Sequence, residues 1–212
     1  MGEDGGERLK GVYTARDQNE LTGRYDVWAA DYDRDIASFG YKNPALAVGM
    51  ATRHLDPSAS PILDAGAGTG IVGELLHIMG YRGLTALDMS EGMLEVARAR
   101  GVYDAVTTGV LGEALPFDDD LFAAAFAIGV LTVGHAPADS LDELVRVVRP
   151  GGRLICSITT PAWAESGFGD KVEALVADGR LTRTDETADY RVLPGAPDEA
   201  SLESRIYVFT IA

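Results

Sequence analysis

The 212 residues contain one cysteine, three lysines and no apolar run long enough to cross a bilayer. A lone thiol, Cys156, excludes an intrachain disulfide, so nothing in the chain calls for an oxidising compartment. Basic residues are scarce as well: 33 acids face 18 lysines and arginines, a net charge of −15, and no Lys/Arg-rich run interrupts the excess. Such a surface repels phosphate backbones and anionic lipid, which argues against nucleic-acid and membrane partners. Residues 1–8 are rich in glycine and glutamate and lack the basic and apolar pattern of a secretion signal. A cytoplasmic location is therefore expected, while the oligomeric state is left open. At 46% hydrophobic the chain can bury one sizeable core and needs no second domain.

What is present is glycine at a particular place. The run Asp64-Ala65-Gly66-Ala67-Gly68-Thr69-Gly70 follows apolar Ile62-Leu63 and precedes a helical pattern over 70–79. Glycines at 66, 68 and 70 let a ligand approach the turn without side chains in the way. The dinucleotide fingerprint G-x-G-x-x-G is incomplete, because Ile71 stands where Gly or Ala would close it, and Asp64 is an acid where a pyrophosphate would pass. Both features argue against NAD. An adenosyl ligand with an ammonium group and no phosphate suits Asp64 better, with its carboxylate at the helix N-terminus. S-adenosylmethionine carries those groups.

A second acid, Asp88, lies 24 positions after Asp64, at the end of a short apolar strand over 83–88. That is the place for a carboxylate that accepts hydrogen bonds from ribose hydroxyls. Ser90 then serves as N-cap of a helix over 90–100, with Met93, Leu94 and Ala97 on one apolar face and Gly101 at its end.

The order of these segments predicts a Rossmann-like, doubly wound α/β sheet: strands at 61–65, 83–88, 105–109, 122–128 and 152–159 alternate with helices at 70–79, 90–100 and 138–148. Residues 1–18, without an apolar period, are expected to form a flexible leader ahead of a single domain over 19–212. From 25 to 54 the pattern is helical, broken near Gly40 and restarted at Asn43-Pro44. Beyond 168 the pattern gives a helix over 169–178, a strand over 181–193, a turn, and a last strand over 205–211.

Ile62 to Gly70, Leu87-Asp88-Met89-Ser90 with Met93-Leu94, Ala114-Leu115-Pro116-Phe117 and Arg149-Pro150-Gly151-Gly152 resemble the successive motifs of class I S-adenosylmethionine-dependent methyltransferases. Tyr25-Asp26-x-Trp28-Ala29-x-x-Tyr32-Asp33-x-Asp35, Gly101-Val102-Tyr103 and the run from Gly129 to His135 resemble the Williams-Beuren-region methyltransferase-like family within them. The resemblance implies seven strands, mostly parallel, with a C-terminal antiparallel hairpin and N-terminal helices. It implies S-adenosyl-L-methionine as cofactor and S-adenosyl-L-homocysteine as product. It places Asp64, Ala65, Gly66, Gly68 and Gly70 in the first cofactor loop, Asp88, Met89 and Met93 around the ribose, Val110 and Leu111 along the adenine, and Ile128 and Gly129 beside the methionine moiety.

Tyr25, Trp28 and Tyr32 fall on one helical face, where they either pack against the sheet or close over the cofactor. His135, after the fourth strand, is the best placed of the three histidines to act as a general base, and packing is its alternative role. The fourth strand ends in Ala127-Ile128-Gly129-Val130, unlike the Asn/Asp-Pro-Pro-aromatic motif of adenine-N6 enzymes. Cys156 sits in an expected buried strand, unlike a cytosine-C5 nucleophile. No double-glutamate loop and no set of metal-ligating acids stands out, so no metal is expected. A small-molecule acceptor remains, recognised by the N-terminal helical segment with residues 160–169 and 190–198. The rival functions are a cofactor-binding partner module that transfers no methyl group and, remotely, an NAD-dependent oxidoreductase.

Overall fold

The alternation of strand and helix is realised in the protein's computed structural model, which describes residues 5–212. Strands β1 (Ile62–Ala65), β2 (Leu84–Asp88), β3 (Ala105–Thr108), β4 (Phe122–Leu131) and β5 (Val148–Thr159) pair in parallel in the order β3-β2-β1-β4-β5. At the far edge β6 (Leu181–Glu186), the two-residue β7 (Tyr190–Arg191) and β8 (Glu203–Ile211) are antiparallel: β8 pairs with β5, and both β6 and β7 pair with β8. The sequence pattern over 181–193 suggested one strand. It is two, because residues 187–189, between Glu186 and Tyr190, leave the ladder.

Side chains alternate across a strand, and here both sides are buried. Leu63, Ala127, Cys156 and Phe209 face one core, which α6 (Ser140–Val147), α7 (Thr160–Glu165) and α8 (Phe168–Ala177) cover with Leu141, Leu144, Phe168 and Val172. Ile62, Phe126, Ile155 and Val208 face the other core, closed by α3 (Asn43–His54) and α4 (Ile71–Ile78) through Ala47, Ala51 and Leu76. Ala86 of β2 continues that face onto Leu94 of α5 (Glu91–Ala99). Near-continuous apolar strands are what a sheet covered on both faces requires.

Two further helices lie over the carboxyl ends of the strands: α1 (Gly5–Tyr13) and α2 (Gln18–Ser38). The part of the expected leader that is described is therefore structured, and residues 1–4 lie outside the described residues. Leu9 and Val12 of α1 are buried against Leu21, Trp28 and Ile36 of α2. Arg8 joins the two helices through Asp31 and Asp35, and Asp35 also accepts the Trp28 indole N–H at 3.0 Å. Asp17 caps α2 by accepting from the Glu20 amide at 2.9 Å. No described helix is long and apolar enough to cross a membrane.

Candidate active site

The turn after β1 is built by backbone geometry. Gly66, Gly68 and Gly70 have φ of 74°, 55° and 86°, in the left-handed region that side chains disfavour. The amides of Gly66 and Ala67 donate to the Leu87 carbonyl at 2.7 and 3.0 Å, which draws the turn onto the end of β2. Space is also lacking, since a Cβ on Gly66 would stand 2.3 Å from Val130 Cγ1.

Asp88 sits where that turn and β2 meet. Its Oδ2 accepts from the Gly68 amide at 2.8 Å and its Oδ1 from the Ser90 amide at 2.9 Å. Burial raises its pKa, and the backbone amides of Ser90, Gly68 and Met89 oppose the rise. A carboxylate oxygen accepts more than one hydrogen bond, so Asp88 is held in place with acceptor capacity left for ligand hydroxyls. Ser90 caps α5 by accepting from the Met93 amide at 3.1 Å.

Helix α2 forms the roof. Asp26 Oδ1 accepts from Ser90 Oγ at 2.6 Å and from the Gly92 amide at 3.0 Å, fastening the roof to the N-terminus of α5. Seven residues on, Asp33 accepts from Thr69 Oγ1 at 2.5 Å and pairs with Arg100, which also meets Glu74. On the adjoining face Trp28 lies edge-on to Tyr32 at 4.8 Å and stacks with Tyr25 at 6.3 Å. Trp28 is buried packing, whereas Tyr25 and Tyr32 reach the cleft. Gln18, at the start of α2, meets Met89 across the mouth.

The other wall is the end of β4. Its pairing with β5 is irregular between Ala127 and Leu131, where Gly129 adopts φ of 83° and donates its amide to Ser157 Oγ at 2.7 Å. A Cβ there would lie 2.2 Å from the Tyr41 hydroxyl. His135 follows: its Nε2 is 2.8 Å from Tyr25 Oη and its Nδ1 is 3.3 Å from the Val133 carbonyl. A carbonyl only accepts, so Nδ1 carries the proton and Nε2 accepts from Tyr25. Burial lowers the His135 pKa, keeping the ring neutral near pH 7.

Together these elements line a concave cleft, open at its mouth. Of the residues singled out in the sequence, Tyr25, Tyr32, Gly66, Gly68, Asp88, Met89, Met93, Leu111, Ile128, Gly129 and His135 line it. Asp64, Ala65, Gly70 and Val110 do not. Asp64 turns away beneath the glycine turn, where Oδ2 accepts from the Tyr103 hydroxyl at 2.6 Å and burial pushes its pKa up to about 6. Ala65 is buried in the core, Gly70 packs towards Tyr103 and Ala97, and in the segment that follows β3 Gly109 and Leu111, not Val110, line the cleft. The lining residues that sequence reasoning missed include Gln18, Leu21, Tyr41 and Pro44. They reach the site only through the fold, whereas Thr69, at the helix N-terminus expected to face the ligand's carboxylate, does line the cleft.

The sequence profile described as a methyltransferase domain matches residues 63–156. Methyltransferase-like protein 27 of Homo sapiens is 36% identical over 170 residues, 79% of this chain and 69% of that protein. The chain belongs to the class I S-adenosylmethionine-dependent methyltransferases. A demethylmenaquinone methyltransferase of Mycobacterium bovis is 33% identical over 90% of this methyltransferase and 83% of its own length. One from Clavibacter sepedonicus is 40% identical, but the match spans 59% of it. The TehB-like SAM-dependent methyltransferase of Corynebacterium glutamicum superposes with a TM-score of 0.61, covering 88% of this chain and 98% of that one at 21% identity, which is a likeness of fold.

Proposed function

We propose that this methyltransferase binds S-adenosyl-L-methionine in the cleft beneath α2 and methylates a small-molecule acceptor, releasing S-adenosyl-L-homocysteine. The observation that carries the reading is Asp88, a half-buried carboxylate fixed by the Gly68 and Ser90 amides with lone pairs left over. Asp88 suits the ribose hydroxyls, the apolar pair Met89 and Leu111 suits the adenine, and the 66–69 turn with Ile128 and Gly129 suits the methionine end. The cofactor, when bound, supplies a methyl group on a sulfonium, already a strong electrophile. The protein's own share is positioning and exclusion of water: α2 closes the cleft, and the neutral His135 with Tyr25 stands ready to take a proton from the acceptor. Asp64, read in the sequence as a direct partner of the ammonium, contributes here as a buried acid behind the turn. The names of the relatives, which include demethylmenaquinone and malonyl-[acyl-carrier protein] methyltransferases, leave both free and carrier-bound acceptors in view.

Calorimetric titration with S-adenosylmethionine, S-adenosylhomocysteine and NADH tests the reading. The first two are expected to bind with Kd of order micromolar, about −8 kcal/mol, and Asp88→Ala to weaken both by roughly 2 kcal/mol or more, the cost of losing hydrogen bonds to a charged group. Binding of NADH alone would overturn it.

A further inference from the structure

No residue of α1 lines the cofactor cleft, yet α1 reaches the histidine that stands at the cleft's reacting end. Tyr13 is the last residue of α1, and its ring lies against His135 with centroids 5.4 Å apart and planes tilted by 59°. Tyr25 of α2 meets the same imidazole edge-on at 5.9 Å, with its hydroxyl 2.8 Å from Nε2. The end of β4 gives a third support: the Val133 carbonyl faces Nδ1, and the His135 amide donates to the Thr132 carbonyl at 3.2 Å. Thr132 in turn stands beside the Tyr13 hydroxyl. His135 is thus held by three elements, and the share of α1 is an aromatic ring.

The space between Leu9, Val12, Tyr13 and His135 is close-packed, with room for a water or two at most. On its outer side Tyr13 borders an open groove with Pro161, Ala164 and Leu202. Its side chain therefore separates the imidazole from bulk water on that side. Charge has little say there. The titratable side chains that share this region with His135 are Tyr13 from α1, Tyr25 and Tyr32 from α2, and Tyr41 ahead of α3. Burial raises the pKa of all four phenols, so each is neutral near pH 7. Asp88 acts on Tyr25 and Glu199 on Tyr13, not on the imidazole. Burial is accordingly the largest influence on the His135 pKa and lowers it, ahead of the Val133 carbonyl, which raises it.

Resting on the cofactor and proton-acceptor reading above, we infer that Tyr13 is a positioning residue of the active site: its ring keeps water off His135 and holds the imidazole with Nε2 aimed at Tyr25, so the base is complete only when α1 is docked. Tyr13 lies outside the cofactor cleft and acts through His135. With α1 displaced, the chain keeps its cofactor cleft and loses a poised base.

The test is nuclear magnetic resonance of the full chain with labelled histidine side chains, saturated with S-adenosylhomocysteine. His135→Gln identifies its signals among the three histidines. The parent is expected to show the Tyr13 and His135 rings in proximity, a protonated Nδ1 with a bare Nε2, and a pKa below the ordinary value of about 6.5. Tyr13→Phe, which keeps the ring, is expected to reproduce all three. Tyr13→Ala is expected to raise the proton affinity of His135 about threefold or more, half a pKa unit, and to populate the tautomer protonated at Nε2. Its S-adenosylhomocysteine Kd is expected to stay within about threefold of the parent's. The assignment is overturned if Tyr13→Ala leaves the pKa and tautomer unchanged, or if Tyr13→Phe shifts them as far as Tyr13→Ala does. Loss of S-adenosylhomocysteine binding in Tyr13→Ala also overturns it, since Tyr13 would then support the roof as a whole. Should Tyr13→Ala fail to fold, the parent decides: a protonated Nε2, a pKa at or above the ordinary value, or rings out of contact overturns the assignment. Failure of the parent to bind S-adenosylhomocysteine overturns the cofactor reading instead, and the ring signals of the ligand-free chain still report on Tyr13.

Discussion

At the scale of single residues, Asp64 shows how an acid at a functional turn can serve the site without touching the ligand. Its carboxylate is fully buried, bonded to the Tyr103 hydroxyl, and its pKa is pushed up to about 6. The folded state thus holds the proton more tightly than the unfolded chain, where an aspartate titrates near 3.9. By linkage the protonated form's contribution to stability is complete below about pH 4 and is lost as pH rises through 6. Asp64→Asn, which keeps an acceptor for Tyr103, is expected to gain stability relative to the parent across that window, by about 3 kcal/mol at most for two pKa units. Chemical denaturation of both proteins at pH 4 and at pH 7.5 checks the sign. A difference independent of pH would mean that Asp64 titrates normally.

At the scale of elements, the roof helix α2 is fastened at two acids seven residues apart, and each of its cleft tyrosines, Tyr25 and Tyr32, immediately precedes one of them. Asp26 holds the N-terminus of α5, and Asp33 holds Thr69 and Arg100. Neither acid lines the cleft, so both are positioning residues. Asp33→Asn is expected to weaken S-adenosylhomocysteine binding by about tenfold, roughly 1.4 kcal/mol, and Asp26→Asn similarly. Protection of the α2 amides from hydrogen exchange in the ligand-bound state should fall in both variants. Unchanged protection would mean that the packing of Trp28 alone holds the roof.

The helices also mark where sequence reading ends. The glycine turn, Asp88 and the Ser90 cap were legible because each depends on residues close in the chain. Helix α1 was not: residues 5–13 carry three glycines and few apolar positions, and the segment is held by Leu9, Val12 and Arg8 against α2. The direction Asp64 faces was hidden as well, since its partner Tyr103 lies 39 residues away. Tyr41, between α2 and α3, enters the site where Gly129 of β4, distant in the chain, leaves its hydroxyl room. Propensity reaches a few residues, whereas packing partners are set by topology.

For the whole molecule, the net charge of −15 distinguishes substrate from product. S-adenosylmethionine carries a sulfonium, an ammonium and a carboxylate, a net charge of +1, while S-adenosylhomocysteine lacks the sulfonium charge and is neutral overall. The field of the protein, with the buried Asp64 and the half-buried Asp88, therefore favours the substrate, by an amount that ions in solution screen. Raising NaCl from about 20 to about 300 mM shortens the Debye length from roughly 20 to 6 Å. The Kd of S-adenosylmethionine is expected to rise several-fold across that range, while that of S-adenosylhomocysteine stays nearly constant. Calorimetry at the two salt concentrations separates them. Parallel weakening of both would show that salt acts on the closure of α2, through pairs such as Arg100 with Asp33 and Glu74, and that the molecule's charge does not discriminate between the cofactor's two states.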